Sequence, residues 1–114
     1  MQKELLELLR NSKNIYDNYI FNGRIFLYAK NLRLVNGQIL NLLKKINFEK
    51  KSELEKPSFA LKKHIEEWII IWDKEKLTQN PQDNDVFIFN GYKKYPKDLE
   101  LLLISRIKLL NPHS

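Results

Sequence analysis

The stretch that decides the fold is Pro57-Ser58-Phe59-Ala60-Leu61-Lys62-Lys63-His64-Ile65-Glu66-Glu67-Trp68-Ile69-Ile70-Ile71-Trp72-Asp73-Lys74-Glu75-Lys76-Leu77. Placed on a wheel of 100° per residue, Leu61, His64, Ile65, Trp68, Ile69, Ile71 and Trp72 occupy one arc of about 160°. Lys62, Lys63, Glu66, Glu67, Asp73 and Lys74 fill the remainder. Ser58 after Pro57 offers an N-cap, and the pairs Lys62 with Glu66 and Lys63 with Glu67 stand at i,i+4. The spacing predicts a helix from Ser58 to about Leu77 that turns both indoles inward and keeps a charged back in water. Ile70 breaks the pattern, because it projects from the middle of the charged arc.

Toward the carboxyl end, Thr78 to Asn84 contains Pro81 and the turn formers Asn80, Asp83 and Asn84, and reads as a loop. Val86-Phe87-Ile88-Phe89, Asn90-Gly91 and Tyr92-Lys93-Lys94-Tyr95 read as two short strands about a two-residue turn, a hairpin over about 86–95. Pro96 suits the first turn of a last helix, whose stripe is Leu99, Leu102, Leu103, Ile107 and Leu110 and whose stop is Asn111-Pro112.

Toward the amino end, Leu5, Leu6, Leu8 and Leu9 among Lys3, Glu4, Glu7 and Arg10 predict an amphipathic helix to about Asn11, where Asn11-Ser12 leaves open whether it breaks. From Lys13 to about Leu34, Ile15, Tyr16, Tyr19, Ile20, Gly23, Phe26 and Leu27 share one arc, while Phe21, Ile25, Tyr28 and Leu32 share the opposite one. That predicts a helix sandwiched between others, with Gly23 permitting a close crossing. Asn36-Gly37 is also a two-residue hairpin signal. Its flanks, Tyr28 to Arg33 and Leu40 to Ile46, keep a helical spacing, which favours a helix broken or bent near Asn36. Asn47 to Pro57 is a polar, lysine-rich connection. The expected architecture is one mainly α domain over 1–114, a compact bundle of four or five helices with one small β-hairpin before the last.

Composition narrows the function classes. The chain has 114 residues, a formal charge of +6 and 43% hydrophobic residues, a globular composition that excludes collagen-like and disordered classes. With no cysteine, disulfides, thiolate metal sites and cysteine nucleophiles are excluded. The longest apolar run, Trp68 to Trp72, is far below the roughly 20 residues of a membrane span. The amino terminus, Met1-Gln2-Lys3-Glu4, lacks the apolar region of a secretory signal. A cytoplasmic protein is expected. The abundance of lysine, asparagine and isoleucine suggests an AT-rich genome, such as a bacterium, a phage or a mobile element.

His64 and His113 are the only imidazoles, too few for an ordinary zinc site. Asp83-Asn84-Asp85 opens like a calcium loop, but Phe87 stands at the third ligand position and no glycine follows it there. No metal and no cofactor are expected. His64 lies in the apolar arc beside Trp68 without a serine or aspartate spaced as a catalytic partner, and so reads as a partly buried structural histidine. Arg106, between Leu102, Leu103, Leu109 and Leu110, reads as snorkelling, as paired with a carboxylate, or as reaching a ligand. Arg106 and His113 also meet an R-x6-H spacing that resembles the motif of HEPN-type ribonucleases. In that family arginine and histidine from two protomers flank the scissile phosphate, so the resemblance implies RNA cleavage by a dimer. It covers eight residues and departs from the motif at Pro112, before the histidine, and at Ile107, where a polar residue is usual.

Charge is uneven: residues 44–63 carry +4 and residues 64–92 carry −4. The surplus at Lys44, Lys45, Lys50, Lys51, Lys56, Lys62 and Lys63 is the candidate nucleic-acid face. Lysine outnumbers arginine 16 to four, and arginine is the residue of bidentate phosphate and guanine recognition. Interleaved Glu49, Glu53 and Glu55 fit a solvated surface better. With no catalytic constellation, the leading expectation is a non-enzymatic module that docks on another protein through Ile70, Lys74, Tyr92 and Tyr95. It would be of immunity, antitoxin or inhibitor type, or a small subunit of a bacterial or phage conflict system. The positive charge argues against a basic nuclease as its target. The second expectation is a nucleic-acid-binding accessory using Lys44, Lys45, Lys50, Lys51, Lys62 and Lys63. No membrane partner is expected, and homo-oligomerisation is left open.

Overall fold

The computed structural model describes residues 2–46, 54–88 and 95–110. Among them four helices form: α1 (Gln2–Phe21), α2 (Phe26–Lys45), α3 (Glu55–Gln79) and α4 (Lys97–Leu110). Each packs against two others in the cyclic order α1, α2, α3, α4 and back to α1, a four-helix bundle. None of the helices is long and apolar enough among the described residues to cross a membrane.

The first half resolves the point left open at Asn11-Ser12 and departs from expectation at Gly23. α1 runs unbroken through Asn11-Ser12, because Ser12 is buried and hydrogen bonded rather than solvated. The helix expected over 13–34 instead ends at Phe21, with Gly23 at φ +80° and Arg24 at φ +60°. The Arg24 amide donates to Tyr19 O at 2.8 Å, closing the left-handed helix terminus that glycine favours. Gly23 is therefore a turn residue, and a Cβ placed there meets nothing within 4 Å, so no helix crosses closely at this point. Asn36-Gly37 neither breaks α2 nor makes a hairpin. The Asn36 side chain turns inward and donates to Leu32 O at 2.9 Å.

α2 begins without a side-chain cap, and its exposed amides are satisfied from a distance. Phe26 N–H donates to Asp85 O at 2.8 Å and Leu27 N–H to Asp83 O at 3.0 Å, while Phe87 N–H returns a bond to Arg24 O at 2.8 Å. The segment before α4 thus supplies the partners that helix starts require. The hairpin expected over 86–95 is not found: Val86 makes one isolated antiparallel bridge, to Ile25, and no strand occurs among the described residues. The alternation in Val86-Phe87-Ile88 has another cause. Phe87 is fully buried, whereas Val86 and Ile88 are exposed. Phe89 to Lys94, which contain Asn90-Gly91, lie outside the described residues.

α3 starts three residues before Ser58, with Leu54 rather than Ser58 at the cap position. Pro57 falls in the first turn, where its missing N–H forfeits no intrahelical bond. The far end extends to Gln79 because Asn80 adopts a left-handed conformation, φ 46°, and donates to Lys76 O. Asparagine tolerates that region.

The core has two clusters. Leu5, Leu6, Leu9, Ile39, Leu42, Leu43, Leu54, Leu61, Ile65, Leu103, Ile104 and Ile107 form an aliphatic one. Tyr19, Phe26, Ala29, Leu32, Val35, Trp68, Trp72, Phe87 and Tyr95 form an aromatic one. The aromatic contacts are directional: Phe26 meets Phe87 edge-on at 5.2 Å, Trp72 meets Phe87 at 5.4 Å, and Tyr16 stacks on Tyr95 at 4.3 Å.

Candidate functional site

The inward face of α3 is closed. Trp68 and Trp72 are 1% and 3% exposed, so both indoles are turned into the core, and His64 is only half-buried one turn before Trp68. The outward face differs from an ordinary charged back. Phe59, Ile70 and Leu77 are 67%, 67% and 82% exposed. At 100° per residue they fall within about 20° of one another, a line of about 27 Å along the helix. Lys63, Glu67, Asp73 and Lys74 flank it, all exposed. Ile70 and Lys74 thus lie together on this face. Phe59 and Leu77 were not singled out by sequence, although their separations from Ile70, 11 and seven residues, place them in phase with it.

The other two expected interface residues do not join them. Tyr95 is 7% exposed, stacked on Tyr16 and edge-on to Trp68, which corrects its expected place on an exposed hairpin. Its ring belongs to the aromatic core because the chain enters α4 across α1. Tyr92 lies outside the described residues.

Of the six candidate nucleic-acid lysines, Lys44 and Lys62 line one cavity of about 290 Å³ between the end of α2 and the start of α3, together with Leu43, Ile46, Glu55, Ser58 and Phe59. Lys45 and Lys63 are exposed and are not among its lining residues. Lys50 and Lys51 lie outside the described residues. The two ammonium groups favour an anion, but Glu55 opposes one. Lys44 and Lys45, in the last turn of α2, also have a structural role in complementing the helix dipole.

Arg106 is half-buried on α4, and His113, the other member of the R-x6-H spacing, lies outside the described residues. No group of three or more His, Asp or Glu that could hold a metal occurs among the described residues. Asp83 and Asp85 instead give their backbone carbonyls to α2, and the Asp83 carboxylate pairs with Lys30.

The feature least expected from the sequence lies inside. Ser12, Asn36 and Glu100 are buried, Glu100 to 1% exposure. Asn36 Nδ2 donates to Ser12 Oγ at 3.1 Å; Ser12 Oγ bonds Tyr95 Oη, and Tyr95 Oη donates to Glu100 Oε1. Burial, opposed chiefly by the hydrogen bond from Tyr95, pushes the Glu100 carboxyl up to about 7. Burial and the adjacent Glu100 push the Tyr95 hydroxyl far above its ordinary range. A sequence signal existed, since Ser12 continues the seam Leu5-Leu9 of α1, Asn36 stands between Leu32 and Ile39 of α2, and Glu100 precedes Leu103 and Ile107 of α4 at heptad spacing.

Compared with known protein families, curated proteins and solved structures, the chain matches none.

Proposed function

We propose that the chain is a small non-enzymatic protein-binding module. It would be of immunity, antitoxin or inhibitor type, or a small subunit of a bacterial or phage conflict system, and it would dock through the outward face of α3. The observation that carries this reading is the line Phe59, Ile70 and Leu77. Scattered exposed apolar residues need no explanation, but three in phase over about 27 Å supply the apolar anchors of a helix-face contact, with Lys63, Glu67, Asp73 and Lys74 as its charged rim. The test compares capture from the native host by wild type and by Ile70→Lys/Leu77→Lys. Specific capture of a protein by wild type, lost in the variant while both melt alike, is expected. Identical capture profiles overturn the reading.

A second reading, a nucleic-acid-binding accessory, draws on the convergence of Lys44 and Lys62 on one cavity. It predicts binding to mixed DNA and RNA at low salt that falls steeply as salt is added and weakens in Lys44→Glu/Lys62→Glu. Absence of binding at low salt removes it.

A further inference from the structure

The polar cluster of Ser12, Asn36, Tyr95 and Glu100 sits where the two apolar clusters meet. Leu9 of the aliphatic cluster precedes Ser12 on α1, Val35 and Ile39 from the two clusters bracket Asn36 on α2, and Tyr95 itself belongs to the aromatic cluster. Its hydrogen bonds run in one direction. Asn36 Nδ2 uses its two hydrogens on Leu32 O and Ser12 Oγ. Tyr95 has one O–H, which Glu100 Oε1 takes, so the Ser12 hydroxyl must be the donor in its bond to Tyr95. Every donor among the four side chains is thereby spent. Two acceptors remain: Glu100 Oε2 and Asn36 Oδ1 are buried without a hydrogen-bond partner among the described residues. A buried acceptor left unpaired is destabilising, and an ionised carboxylate is the most costly kind.

We propose that Glu100 is a proton-binding site: the neutral acid supplies the one donor the cluster lacks, and loss of that proton loosens the seat of α4 in the bundle. Among the described residues, no other charge on the surrounding elements takes over this task. On α1, Lys13 pairs with Asp17 at 3.1 Å, and Lys97 of α4 approaches the same carboxylate at 3.7 Å, all at the surface. On α2, Arg33, one turn before Asn36, is engaged with Asp73 of α3. On α3, Trp68 meets Tyr95 edge-on at 5.8 Å, with half-buried His64 one turn away. On α4, Asp98 is exposed and Arg106 is half-buried more than a turn beyond Glu100. Tyr95 stays protonated, because burial and Glu100 raise its hydroxyl far above the ordinary range.

The direction of the pH dependence follows. The Glu100 carboxyl rises from 4.5 to about 7 on folding, chiefly through burial. The folded chain therefore holds more protons than the unfolded chain between those values. The stabilisation is complete below the lower value and disappears as pH rises through the upper one.

The experiment is thermal melting of wild type and Glu100→Gln from pH 5 to pH 8 at fixed ionic strength, with hydrogen exchange of the α4 amides. Glutamine keeps the shape, carries donors and does not titrate. Wild type is expected to lose roughly 5 °C or more relative to Glu100→Gln between the ends of that range. Its α4 amides should open about tenfold more often at pH 8, after correction for intrinsic exchange, and those of the variant should not. Parallel melting profiles overturn the proposal, because titration elsewhere is common to both proteins. Should the variant fail to fold, infrared spectra of wild type decide: a protonated carboxyl band at pH 6 that vanishes by pH 8 supports the site, and ionised carboxylate alone at pH 6 overturns it.

Discussion

The two ends of the bundle are held together by different physics. The aliphatic end draws Leu and Ile side chains from all four helices into non-directional contact, where fit depends on volume and little else. The aromatic end uses fewer, larger groups with preferred ring geometries, and two of its members, Phe87 and Tyr95, come from outside the helices. Tyr19 adds a polar handle by donating its hydroxyl to Phe87 O. The aliphatic seam brings the helices together, whereas the rings decide where the intervening chain lies against them.

Substitution sharpens that contrast. Trp68→Ala is expected to have the largest effect, about 3–5 kcal/mol in denaturant unfolding, because it removes the indole against which Tyr95 packs. Leu61→Ala should cost about 2–5 kcal/mol, but Leu61→Met less than about 1.5 kcal/mol, since the aliphatic end repacks. If Leu61→Met proved as damaging as Trp68→Ala, the distinction between the two ends would fail.

Tyr95→Phe probes the junction. It takes the donor away from Glu100 Oε1, with an expected loss of about 1–3 kcal/mol. The loss should grow from pH 5 to pH 8, because the Tyr95 hydroxyl stabilises the charged carboxylate and so lowers the Glu100 pKa. Arg33→Gln removes a partly exposed pair with Asp73 at 3.0 and 3.3 Å and should change stability by less than about 1 kcal/mol. Ile70→Lys, on the outward face of α3, should stay within about 0.5 kcal/mol in the same unfolding assay. A larger loss would mean that Ile70 serves the fold rather than a partner.

How far the sequence revealed this structure depends on the kind of information involved. α3 was legible because its apolar arc is wide and its charges sit at i,i+4, so periodicity alone orients the indoles. The α1–α2 boundary was not legible, since Tyr19 and Phe26 are in phase across the turn and conceal the helix stop at Gly23. Val86 to Ile88 alternate as a strand does, yet the alternation arises from Phe87 entering an aromatic cluster that no local pattern reveals. Ile70 was visible as an isoleucine on a charged arc. Glu100 was missed because a carboxylate at the start of a helix ordinarily serves the dipole, and only tertiary packing buries it.

The contact between residues 83–87 and the start of α2 has a consequence for how the chain tolerates change. The first amides of α2 are served by main-chain oxygens of Asp83 and Asp85, which any residue can provide, so side-chain identity there is cheaply altered. Spacing is not. Inserting or deleting one residue between Asp83 and Phe87 would move the carbonyls away from Phe26 and Leu27 and shift the ring of Phe87 out of its socket. In this clasp chain length is specified more stringently than composition, and drift should show itself as substitution without indels.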